Sequence, residues 1–259
     1  MDALEQLAPT AAELLVRVDA TLAGCGAPPG HRVWPLLRRV GALPGEAVAA
    51  LAELPTGPLA AAAEPLRHLA GEYAQECMAV PGELAWRGAG AESFGRWWSL
   101  LSTHLAGSAL PADGGRLAAT AHLVGTAHLA GGGQAGGGAG TETMAGRLDL
   151  TAAYLTAIAD WLGAARDLVA RALAEALTSR EAVVLAGGSP AGRGTGPVPT
   201  EVMVAAADLA AWVLLALADA YDRGEGLLTG WTGRLAELAA PVPAAGAPAW
   251  PEATIEVTP

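Results

Sequence analysis

Histidine and carboxylate side chains are the residues in this chain whose spacing could do chemistry. Glu64, His68 and Glu72 recur at steps of four, so a helix would place them on one face. Two carboxylates around an imidazole can hold a metal, but a second ligand pair is needed, and no Glu-x-x-His pair of the di-iron kind is present. The triad reads as an exposed His flanked by carboxylates. His122 and His128 are six residues apart, poor spacing for one helix face, and His104 falls beside an apolar seam. Cys25 and Cys77 match no metal spacing; buried free thiols are expected, with a disulfide between them as the alternative. The sequence lacks G-x-S-x-G, C-x-x-C and a phosphate loop, and the glycines of 131–140 have neither a preceding strand nor a following Lys-Ser/Thr. No catalytic residue, cofactor site or metal site is assigned, and a non-enzymatic protein is expected.

The elements that would position any site are helices. Leu4, Leu7, Leu14, Val18 and Leu22 form one stripe of a first helix over 3–23. Short helices follow near 33–40 and 46–54. Leu59, Ala62, Ala63, Leu66, Leu69, Ala70, Tyr73, Cys77, Val80 and Leu84 predict a long helix over 57–84, with Pro65 and Pro81 bending it or trimming its ends. Phe94, Trp97, Trp98, Leu101 and Leu105 continue the period in a second arm from about 90. The run 131–140 is a Gly-rich linker by composition. Beyond it, with Thr141 as candidate N-cap, an apolar seam runs from Leu150 to Ala176 and a second helix spans 200–222, followed by a short helix over 227–240. Runs of β-branched residues with period two are almost absent. The fold class expected is all-α: an elongated helical bundle built from two long helical hairpins plus short N-terminal helices. The segments are 1–56 (N-terminal helices), 57–130 (first hairpin), 131–140 (linker), 141–240 (second hairpin) and 241–259 (Pro/Ala-rich tail).

Between the arms of the first hairpin lies Trp86-Arg87-Gly88-Ala89-Gly90-Ala91-Glu92-Ser93-Phe94. Gly88 and Gly90 suit a chain reversal that needs positive φ or close backbone approach, and Trp86 offers an apolar plate with one N–H. Trp-x-Gly occurs three times, at Trp86, Trp161 and Trp231, but only the first lies between two amphipathic helices and continues through Gly90, Glu92 and Phe94. That longer pattern resembles the WXG100 family of helical hairpins exported by type VII (ESX) secretion systems. Two hairpins in one chain resemble a fused hairpin pair of the PE/PPE-like kind. The resemblance implies a hairpin-turn recognition element at Trp86, Gly88, Gly90 and Phe94. It also implies a Tyr-x-x-x-Asp/Glu export signal after the other hairpin's second helix, where Tyr221-Asp222-Arg223-Gly224-Glu225 matches through Tyr221 and Glu225. The competing reading makes Tyr221 a core-edge residue and 222–225 a solvated turn. Trp97 and Trp98 offer an interface plate, or else one packs inward while the other caps a neighbouring helix.

Composition bounds the partners. The chain contains no Lys and no Asn, and all 15 basic residues are Arg, so a high-GC genome of the actinobacterial kind is expected. The net charge is −11 and only Arg38-Arg39 are adjacent, which argues against nucleic acid. The longest apolar run, Leu209 to Ala218, is about half a membrane span and is bracketed by Asp208 and Asp219, so no transmembrane segment is expected. The acidic N-terminus lacks a Sec-type leader. From the resemblance, the expected partners are a type VII export ATPase or chaperone, with a small WXG100 partner or a second copy of the chain. The expected location is outside the cell without a cleaved signal. The alternative is a cytoplasmic all-α structural or binding protein with a coincidental Trp-x-Gly turn.

Overall fold

The computed structural model describes residues 2–79, 88–106, 143–187 and 198–240. All regular structure among them is helical, and the all-α class holds. The elements are α1 (Ala3–Cys25), α2 (Val33–Val40), α3 (Pro44–Glu53), α4 (Gly57–Ala79), α5 (Ala89–Ala106), α6 (Met144–Leu177), α7 (Arg180–Gly187) and α8 (Thr200–Ala239).

Local chemistry sets their ends. Asp2 caps α1 by accepting from the Glu5 N–H at 2.9 Å, and Gly26, at φ 71°, closes it with an N–H to the Leu22 carbonyl at 2.9 Å. Pro44 opens α3, where a ring-fixed φ suits the first turn and the missing N–H would have had no helical partner. Thr143, not Thr141, caps α6: its hydroxyl accepts from the Gly146 N–H at 3.0 Å, while Thr141 lies outside the described residues. Ser179 ends one helix and starts the next, donating to the Ala176 carbonyl at 2.7 Å and accepting from the Ala182 N–H at 3.1 Å. That hydroxyl separates α7 from α6, a break that the apolar period does not reveal.

Two compact units result. The first combines residues 1–61 with 155–232. Its core draws Leu4, Leu15, Val18 and Leu22 from α1, Val48 and Leu51 from α3, Leu162, Val169 and Leu173 from α6, and Leu209, Val213, Leu214 and Leu217 from α8. The N-terminal helices thus share one core with the C-terminal helices. The second unit combines 62–154 with 233–259. There Ala63, Ala70, Ser102, Thr143 and Ala152 are buried. Arg147 donates to the Leu238 and Ala240 carbonyls at 3.1 and 2.7 Å, closing the last turn of α8.

Three readings of the sequence need correction. The expectation that the chain carries no transmembrane segment is overturned, because α8 has 40 residues and an 18-residue window of mean hydropathy 1.9, long and apolar enough to cross a membrane by length and composition. Bounding the apolar run by Asp208 and Asp219 understates it, since the helix continues past both carboxylates. In the fold, 67% of that window is buried. The break expected at 222 is also absent: α8 is continuous through Gly224 to Ala239. Finally, Cys25 is an exposed free thiol rather than a buried or bridged one.

Candidate functional site

The hairpin-turn residues are partly described. Trp86 lies outside the described residues. Gly88 has φ 113°, a conformation that an L side chain rarely adopts, and its carbonyl accepts from the Glu92 N–H at 3.2 Å as the entry to α5. Gly90 does not share that role, because it lies in the first turn of α5. One turn further on, Phe94 meets both tryptophans: the Trp97 ring is tilted against it at 6.0 Å between centroids, and the Trp98 ring is stacked at 6.3 Å with 2° between planes. Spacings of three and four residues on one helix make this cluster possible. All three rings are half-buried.

Tyr221 and Glu225 are placed within α8, one turn apart on the same face. Tyr221 is 37% exposed. Glu225 is engaged: Arg39 of α2 reaches its carboxylate at 2.9–3.0 Å and also pairs with Asp222. The hydrogen bonds to Glu225 and then to Asp222 raise the Arg39 guanidinium above its ordinary pKa. Gly224 does not break the helix, because its bare Cα receives the Trp161 indole. A Cβ there would stand 2.9 Å from Trp161 Cζ2, and the indole N–H donates to the Ala220 carbonyl at 2.9 Å. Arg39 and Trp161 were invisible to sequence reasoning as parts of this region, since both are remote from it in the chain.

A second polar centre escaped notice altogether. Arg166 of α6 is 4% exposed. Its Nε and Nη2 donate to the two oxygens of Asp2, and its Nη1 donates to the carbonyls of Leu51, Ala52 and Leu54 at 2.8–3.0 Å. The guanidinium therefore ties the N-cap of α1 to the C-terminal end of α3. The hydrogen bond from Arg166 is the main reason that the Asp2 carboxyl sits below its ordinary value. A signal did exist, because Arg166 interrupts the apolar seam between Leu162 and Val169.

The His68 triad is a surface feature: His68 lies 3.4 Å from Glu72 with its side chain 73% exposed, while Glu64 pairs with Arg67. His31 is more constrained. The Val33 N–H donates to its Nδ1 at 3.2 Å, and its Nε2 lies 3.3 Å from the Asp208 carboxylate of α8. Together these groups hold helix ends and neighbouring helices in place. Comparison with known proteins finds no matching family model, no similar curated protein and no similar solved structure.

Proposed function

We propose that this chain is a non-enzymatic, secretion-associated helical protein of WXG100/PPE-like type, a type VII substrate that acts through protein–protein recognition and assembly. In this reading α4 and α5 are the arms of one helical hairpin, α6 and α8 those of a second, and the Trp86–Phe94 segment is the recognition turn. The observation that carries it is Gly88: its φ of 113° falls at the entry to α5, in the gap between two helices where the Trp-x-Gly pattern requires a reversal. The aromatic cluster of Phe94, Trp97 and Trp98 immediately after that turn adds a rigid apolar surface suited to a protein partner. Tyr221 is accessible on α8 as the tyrosine of the export signal, with Glu225 held by Arg39.

The test is proteomics of culture supernatant against cell lysate in the native host, with and without a functional type VII system. System-dependent appearance outside the cell is expected, with loss of export on replacing Tyr221 and Glu225 by Ala. Retention in the cytoplasm in both hosts would leave a helical scaffold whose Trp-x-Gly turn is packing.

A further inference from the structure

We propose that α8 is a membrane-inserting helix held sheathed in the first unit, and that its ligand is the hydrocarbon interior of a lipid bilayer. The proposal does not depend on the route by which the chain leaves the cell.

Its basis is how apolarity is distributed around the helix. From Val202 to Ala220 the only charged residues are Asp208 and Asp219, and the stretch rises about 28 Å against a hydrocarbon core of about 30 Å. At 100° per residue, Val204, Asp208, Leu215 and Asp219 fall on one narrow stripe of about 60°. That stripe faces water: Val204 is 36% and Leu215 48% exposed. Every other position around the helix is apolar, and nearly all are buried. A surface helix needs an apolar face of about 100° and leaves the rest polar, whereas a helix apolar nearly all round is a central core helix or a membrane span. In α8 the proportions are reversed, and half of the residues on its wet stripe are apolar as well. Packing against α1, α3 and α6 does not require apolar side chains at 204 and 215, whereas a lipid environment does.

Most of the hold on α8 comes from the apolar core it shares with α1, α3 and α6, and the polar contacts beside that core are weak. His31 and Arg32, just ahead of α2, lie 3.3 and 3.4 Å from Asp208, and Arg39 at the other end of α2 holds Asp222 and Glu225. Arg32 and Arg39 are 54% and 38% exposed at the side chain, and ion pairs in such settings contribute little to stability. Tyr221, Asp222 and Arg223 follow the apolar stretch directly, an amphipathic ring and charges suited to a headgroup boundary.

The test uses the full chain with phosphatidylcholine vesicles at pH 7 and pH 5, read by flotation after alkaline carbonate extraction. Wild type is expected to float and resist extraction in at least one condition, with a protease-protected fragment covering 202–220 identified by mass spectrometry. The double variant Val204→Arg/Leu215→Arg keeps the helical spectrum, because both sites are exposed in the fold. Leu215 lies about 6 Å from the middle of the stretch, where an arginine lowers partition by roughly 100-fold, and Val204 lies nearer its end, so the carbonate-resistant fraction should vanish chiefly through Leu215→Arg. The control Val16→Arg/Val183→Arg changes apolar residues on α1 and α7 that are more exposed, at 66% and 71%, and should float like wild type. Wild type remaining unbound or extractable at both pH values overturns the proposal, as does equal loss in both double variants. Should the test variant lose its helical spectrum, the wild-type protected fragment decides alone: a fragment that excludes 202–220 overturns it.

Discussion

Arg166 carries five N–H donors into a place with almost no water, and the structure supplies acceptors for them in Asp2 and three carbonyls. Removing one member of such a buried set leaves the others unsatisfied, so Arg166→Ala is expected to cost about 3 kcal/mol of unfolding free energy in urea. The pH dependence has a definite sign. The Asp2 carboxyl is lowered from 3.8 in the folded state, so its stabilisation is complete above that unfolded value and is lost as pH falls through the lower folded one. Asp2→Asn should therefore flatten the acid limb of the stability curve below about pH 4. Gly224 and Gly163 make a matched pair on facing helices. Adding a methyl at Gly224 meets the Trp161 ring at 2.9 Å and is expected to destabilise by about 1–3 kcal/mol, as overpacking does. At Gly163 nothing lies within 4 Å and the helix interior favours alanine, so Gly163→Ala should stabilise by roughly 0.5–1 kcal/mol. Thermal unfolding of the two variants separates these signs.

Among the elements, α5 and α8 show how far periodicity carries. The three- and four-residue steps from Phe94 to Leu105 predict α5, and the structure places it at Ala89–Ala106. Gly88 and Gly90 read alike as turn residues in the sequence, and of the two Gly88 alone takes a positive φ, 113°, which L side chains rarely adopt. Gly88→Ala should cost about 1 kcal/mol or more by the same reasoning, measured by thermal unfolding against Gly95→Ala, whose site is open and helical. In α8, by contrast, local propensity misled. Gly224 is a poor helix former in isolation, and the stretch 223–226 reads as a stop. The helix continues because burying the Trp161 indole against that glycine outweighs the propensity cost, and Trp161 is remote in sequence. The same distance conceals Arg39, so Glu225 reads as a free carboxylate in sequence and proves to be clamped.

At the scale of the molecule, the N-terminal helices belong to the core rather than preceding it. Leu4, Leu15, Val18 and Leu22 are buried within the first unit, and at about 1.5–3 kcal/mol each their loss rivals the net stability of a domain. Deleting residues 1–30 is therefore expected to abolish the cooperative thermal transition, monitored by circular dichroism. The sequence by itself determined the helical class and most helix positions, because period and caps are properties of neighbouring residues. It also contained the composition of a membrane-length helix, though charges at Asp208 and Asp219 obscured it. Only the tertiary structure decided which helices share a core, which glycine receives an indole and which carboxylates are paired. Those outcomes depend on residues separated by more than fifty, and in this chain up to 186, positions. No local pattern encodes such partners, because the free energy that selects them appears only when distant faces pack.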